Sequence, residues 1–220
     1  AVINQRYPHY DRLVAEVFGG PAITQLRADT TSLIAATLHK AAQIKPRVLF
    51  VLSTRTGGTP KTNQDLMQSL AEDIECFVLH CDSKQLTFQH FLDGVYTDLA
   101  THTLTDPIEA FPHTSDEYNR LVAQWLLHWS IDLIHIRHLA WHGLGLISTA
   151  KLLGIAVVKS FHDFYALCPS LKLLDNNEHF CAARCTPGAG TCKIELWPEQ
   201  HLLDLKHHKV IDWRNAFSQC

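Results

Sequence analysis

The chain has 220 residues, 46% of them hydrophobic, which is enough to bury a full core as one α/β domain or one and a half ordinary domains. Nineteen Lys and Arg against 22 Asp and Glu leave a formal charge of −3 with no basic run, which argues against nucleic acid as a partner. The longest apolar run, around Val48–Leu52, is far short of the ~18 residues that a membrane span needs. The N-terminus also lacks the shape of a signal peptide, so a cytoplasmic protein is expected, with peripheral membrane association left open.

Residues 1–45 read as a lead-in or linker, punctuated by Tyr7-Pro8 and Gly19-Gly20-Pro21. A helix carrying Leu33, Ile34, Leu38 and Ala41 follows, with Asp29 or Thr30 as its N-cap. From Pro46 strands and helices alternate. Arg47–Leu52 is a buried strand, Gly57-Gly58-Thr59-Pro60 turns it into a helix, and Ile74–His80 is the next strand. Residues 82–113 are ambiguous, with weak signals near Leu86–Leu92 and a polar loop after Asp98. Thr114 and Glu117 form a capping box before a helix bearing Tyr118, Leu121, Val122, Trp125 and Leu126. Ile131–Ile136 is a strand, a helix through Leu153 closes at Gly154, and Ile155–Phe161 is the last strand. Parallel strands need helical crossovers, so 46–220 is predicted to be Rossmann-like: a mainly parallel sheet with helices on both faces, followed by a Cys-rich loop.

Ligands in open α/β sheets sit at the carboxyl ends of strands, which puts His162 and Asp163 in position to do chemistry. The neighbouring strand ends in His135-Ile-Arg137-His138, and its polar end is placed to line the same cleft. The Gly57-Gly58-Thr59 turn admits a ligand to a helix N-terminus, but it equally suits a plain tight turn. It matches neither a dinucleotide nor a phosphate-loop fingerprint. A dinucleotide-binding reductase is further disfavoured because Asp82 is the only acidic candidate near the end of the second strand.

Of seven cysteines, four read Cys168-x12-Cys181-x3-Cys185-x6-Cys192. Four thiolates in this span could hold a tetrahedral structural zinc, with His179 able to replace Cys168; two disulfides or buried thiols are the alternatives. The spacing is too open for a radical-type iron–sulfur cluster. Cys76, Cys81 and Cys220 read as isolated thiols, and the fifteen histidines include no HExxH pair.

The Gly57-Gly58 turn, the Ile131–Ile136 strand and the Gly154–Pro169 segment with its His162-Asp163-Phe-Tyr-Ala-Leu-Cys-Pro169 run together resemble the N-terminal, acceptor-side half of the family 4 glycosyltransferases of GT-B architecture. That resemblance implies transfer, with retention, of a sugar from a nucleotide-sugar donor to a sugar or glycan acceptor, as in bacterial cell-surface glycan synthesis. It places His162 at the transferred sugar as the catalytic residue, Gly57, Gly58 and Thr59 with Asp163 and His138 at the substrates, and no metal in catalysis. The donor half, with its glutamate pair, has no counterpart here. The helix from Trp213 to Cys220 reads as the start of a connection to it, so this truncated chain is expected to be inactive alone. The competing reading is a zinc-stabilised protein-interaction module on a flavodoxin-like scaffold.

Overall fold

The computed structural model describes residues 7–42, 45–110, 113–169, 171–175, 177–184 and 207–218. They fall into two units, 1–44 with 124–130, and 45–123 with 131–220.

In the first unit, α1 (Tyr10–Phe18) and α2 (Pro21–Ala42) flank the Gly19-Gly20 break. α2 begins at Pro21, not at the predicted Asp29 or Thr30. Proline is pre-set for the first helical position, where its missing N–H costs nothing. Thr30 lies inside the helix and donates its hydroxyl to the carbonyl of Leu26 four residues back (2.8 Å), while Asp29 accepts from Gln25 (2.7 Å).

The second unit is an α/β layer around one six-stranded, mostly parallel mixed sheet in the order β4-β3-β2-β1-β5-β6. Its strands are β1 (Arg47–Leu52), β2 (Glu75–Cys81), β3 (Gln85–Leu92), β4 (Val95–Thr103), β5 (Leu133–Ile136) and β6 (Ala156–Lys159). The helices are α3 (Gly58–Ser69) after β1, α4 (Asp116–His128) after β4, of which the residues from Gln124 on are counted with the first unit, α5 (Gly145–Leu152) between β5 and β6, and α6 (His207–Ser218). β2, β1, β5 and β6 run parallel; β2–β3 and β3–β4 are antiparallel. From β1 the chain steps through α3 to β2 on one side, and later passes through β5 and α5 to β6 on the other. Right-handed crossovers in opposite directions put those helices on opposite faces.

The region 82–113 holds the β3–β4 hairpin, not the ambiguous stretch and polar loop predicted. Asp93 (φ 50°) and Gly94 (φ 83°) make a two-residue turn of the type that matches strand twist. The Asp-Gly pair was the available signal. Burial explains why the strand signal was weak: the flanking strands mix polar and apolar residues, and β4 faces solvent along much of its length. At the next helix the cap is Ser115, whose Oγ accepts from the N–H of Tyr118 (3.2 Å), not Thr114. Glu117 turns instead to His102 (2.8 Å) and the N–H of Thr105 (2.9 Å). Gly154 does close α5, its N–H donating to the carbonyl of Lys151 and that of Ile155 to Ala150.

On one sheet face, Val48, Phe50 and Leu52 of β1 join Cys76 and Val78 of β2, Phe91 of β3 and Met67 of α3 in a buried cluster. The strand rows change character along this face. The row Val48–Cys76–Phe91–Tyr96 lies within this cluster, with Cys76 Sγ donating to the carbonyl of Met67 on α3 (3.9 Å). The row Leu52–His80–Thr87, toward the carboxyl ends of β1 and β2, is polar in its last two places.

Candidate functional site

The parallel strands β1, β5 and β6 end side by side, with Ser53, Arg137-His138 and Ser160 at their carboxyl ends. The N–H groups of Arg137 and His138 both donate to the carbonyl of Val51 (3.0 and 3.2 Å), and that of Ser160 to Ile136 (3.0 Å), so the ladder holds these residues in register. β1 and β5 flank the point where chain direction across the sheet reverses, the place where such sheets open a crevice.

Arg137 is only 8% exposed. Its Nη2 donates to Thr62 Oγ1 on the first turns of α3 (3.1 Å), and its Nη1 lies 3.5 Å from Ser160 Oγ. Thr62 passes its own proton to the carbonyl of Thr59 (3.1 Å). Arg137 Nε is buried with no partner, and among the described residues no carboxylate pairs with this guanidinium. Burial pulls the Arg137 pKa below its ordinary value. His135 and His162 are likewise held below the usual imidazole value, first by burial and then by the Arg137 charge. Ser160 Oγ, accepting from Arg137, donates to His135 Nε2 (2.7 Å), which keeps that ring a neutral acceptor.

Ser53, His138 and Asp163 stand in a row that looks like a nucleophile, base and acid. The protons say otherwise. The Ala140 N–H donates to His138 Nδ1 (3.0 Å), so the ring proton sits on Nε2 and goes to Asp163 Oδ2 (2.9 Å). The buried Ser53 hydroxyl donates to the carbonyl of Ala140 (2.7 Å), and its Oγ lies 3.0 Å from a ring nitrogen that already accepts. Burial pushes the Asp163 carboxyl up, but the bonds from His138 and the Tyr165 N–H (2.8 Å) outweigh it and hold it below the usual range. These contacts build the wall of the crevice. Above them Tyr165 packs on His138 and Trp213, whose Nε1 donates to the Tyr165 carbonyl (2.7 Å).

The hollow lined by Arg137, His138, Ser160, His162 and Asp163 encloses only about 10 Å³, the space of one water. Anything larger must sit at its mouth, where His162 and Phe161 are exposed. A second and separate concavity of about 680 Å³ opens between α3 and the β2–β3–β4 part of the sheet; Arg55, Gly57, Lys61, Asp65, His80 and Gln89 are among its lining residues.

The predicted site residues are thus divided. His138, Asp163 and His162 share the hollow, while Gly57 lines the other concavity. Gly57 has φ 104°, so its backbone demands glycine whether or not a ligand is near. A Cβ added at Gly58 would meet nothing within 4 Å. Thr59 acts through its carbonyl alone, as the acceptor for Thr62. Asp132 lies at the other end of β5, accepting from the Arg47 N–H (2.9 Å), and Asp82 accepts from the N–H groups of Lys84 and Gln85 in the β2–β3 turn. Sequence reasoning missed Ser53, Thr62 and Ser160, and it met Arg137 only as part of a run. A lone hydroxyl carries no periodic signal, although each follows a strand or helix start.

Cys185 and Cys192 lie outside the described residues. Cys168 is buried, Cys181 is a half-buried free thiol, and His179 is exposed beside Asp175 (3.9 Å). Among the described residues no group of three or more His, Cys, Asp or Glu is placed to hold a metal. The zinc-stabilised interaction module is therefore not supported.

No known protein family matches the chain, and no curated protein does. Two solved structures match, both of a secreted C11 cysteine protease from Bacteroides thetaiotaomicron. The one in complex with an irreversible peptide inhibitor is 13% identical, covering 42% of this chain and 28% of the protease with a TM-score of 0.28. The other, called iotapain, is 12% identical, covering 43% and 30% with a TM-score of 0.27. The chain spans less than a third of the protease's length, and so slight a likeness transfers no activity. Nothing in these comparisons points to family 4 glycosyltransferases. The predicted identity as a glycosyltransferase half, with its GT-B pairing, its nucleotide sugar and its glycan acceptor, is accordingly withdrawn: no family, no curated protein and neither of these solved structures is a glycosyltransferase. Cysteine chemistry is not offered by the sheet either. Burial, above all, pushes the Cys76 thiol up to about 11 and the Cys81 thiol up to about 12, the reverse of a nucleophilic thiolate. Among the described residues no helix is long and apolar enough to cross a membrane.

Proposed function

We propose that this chain is a small-molecule-binding α/β domain whose crevice at the carboxyl ends of β1, β5 and β6 holds an anionic group against Arg137. The supporting observation is the guanidinium itself: buried, partnered by two neutral hydroxyls, and lacking a carboxylate among the described residues. An uncompensated buried charge costs several kcal/mol, which a ligand anion would offset. Asp163, the nearest acid in the hollow, is already committed to His138 and Tyr165. His162 at the mouth is a neutral donor or acceptor for the rest of the ligand. The free thiols of Cys76, Cys81 and Cys181 support a reducing compartment such as the cytoplasm.

The test is thermal unfolding and calorimetric titration with inorganic phosphate and pyrophosphate, on the wild type and Arg137→Met. Saturable binding that raises the unfolding temperature, lost in Arg137→Met, is the expected result. The variant alone should unfold no earlier than the wild type, because a buried charge has been replaced by an apolar group of similar length. A variant that is strongly destabilised, together with a wild type indifferent to both anions, would make Arg137 a structural residue and end the proposal.

A further inference from the structure

The larger concavity lies outside that reading and has a chemistry of its own. Its size, about 680 Å³, is that of a small-molecule pocket. Its floor is the part of the sheet where the strand rows turn polar. There His80 of β2 pairs in register with Leu52 of β1 and Thr87 of β3, and Gln89 pairs with Val78 and Asp98. A register shift between Phe88 and Gln89 sets Gln89 opposite Asp98. The Gln89 amide nitrogen then donates to Asp98 Oδ1 (2.6 Å), which leaves its carbonyl oxygen as acceptor. Arg55 is anchored from behind, Nη2 donating to Thr87 Oγ1 (3.1 Å). Lys61 and Asp65 line the concavity from α3.

His80 supplies the pointer to a ligand. It is 7% exposed, and its Nδ1 has no partner. Burial first, then Arg55, brings its pKa down to about 4 against the pull of the Leu52 carbonyl and Asp98, so the ring is neutral near pH 7. A neutral ring has one nitrogen without a proton, and Nδ1, buried and unpartnered, is the place at which a ligand donor can be accepted. The concavity therefore presents two cations, Arg55 and Lys61, beside three acceptors that want a donor: His80 Nδ1, Gln89 Oε1 and the Asp65 carboxylate.

We propose that this concavity binds a small carboxylic acid bearing a hydrogen-bond donor beside its carboxylate, a hydroxy acid or an amino acid, with the carboxylate at Arg55 and Lys61 and the donor at His80. Neither cation has a carboxylate partner among the described residues, and a buried acceptor left unpaired discriminates strongly against ligands that lack the donor.

The experiment compares lactate, alanine and propionate, three acids of the same length that differ in the donor, by calorimetry and by NMR shifts of the His80 ring. Lactate or alanine binding at least tenfold tighter than propionate, with the His80 signals moving, supports the site, and the tighter of the two names the donor as hydroxyl or ammonium. Lys61→Gln, on an exposed helix position that leaves the fold alone, should weaken that binding severalfold. Arg137→Met should leave it intact, which separates this site from the phosphate site. Equal binding of all three acids, no saturable binding, or binding unchanged in Lys61→Gln overturns the proposal.

Discussion

The hollow and the larger concavity share one short stretch, Ser53 to Thr62, whose ends meet His138 and Arg137 of the hollow and whose middle lines the concavity, yet they treat polar groups in opposite ways. In the hollow the side chains satisfy one another: Ser53, His138 and Asp163 form one chain of bonds, Arg137, Ser160 and His135 a second. Arg137 is left as the one group there with a buried donor unused. In the larger concavity the polar groups are anchored from behind, Arg55 by Thr87 and Gln89 by Asp98, and their open ends are left free. A saturated network fixes geometry, whereas an open one leaves room for a ligand to complete it. The difference follows from cover. The loop from Phe161 to Cys168, held down by Tyr165 and by Trp213 of α6, encloses the hollow.

Acid should separate the two regions most. His80, His113 and His142 are brought down to about 4, about 3 and about 3, chiefly by burial. Folded values below 6.5 mean that the unfolded chain binds these protons first. The stability they contribute is complete above 6.5 and declines as pH falls toward 4. Each can cost up to about 1.4 kcal/mol per pH unit in that window. Asp163, held low, withdraws its contribution only as pH falls below the ordinary carboxylate value of 3.8. Urea unfolding from pH 8 to pH 4 checks this. A flat profile would mean that these rings are solvated.

Asp163→Ala should cost about 1–2 kcal/mol by stranding His138 and the Tyr165 N–H, and it should also lower phosphate affinity because the loop carrying His162 is released. If denaturant midpoints do not move, the hollow is not the saturated network described. Gly57→Ala should cost about 1 kcal/mol, since φ 104° strains a side chain although nothing stands within 4 Å of it. Because Gly57 lines only the larger concavity, phosphate affinity should survive that change while lactate or alanine binding falls. Lys61→Gln is the smallest in stability, within about 0.5 kcal/mol, and so reports on the ligand alone.

Much of the sheet is legible along the chain. The continuous apolar run of β1 and the apolar-rich segments of β2 and β5 read as strands, and their separation by amphipathic helices points to parallel crossovers, because a strand cannot turn back in parallel through a tight loop. The last strand, β6, likewise points to His162 and Asp163, since carboxyl ends of parallel strands are where such folds expose chemistry. The edge is different. Gln85–Leu92 and Val95–Thr103 mix polar and apolar residues because one face of the hairpin completes the polar floor of a concavity, and that purpose is invisible until β2 lies beside it. The same holds for the protons. A serine, a histidine and an aspartate 85 and 25 positions apart form a network only after β1, β5 and β6 are aligned, and whether they make a nucleophile or a wall depends on the Ala140 backbone, which accepts the serine proton and occupies Nδ1. Periodicity records which side of an element is buried. It carries no record of which polar group meets which, because those meetings are set by register and crossover, and the burial of Arg137 without a carboxylate is one of them.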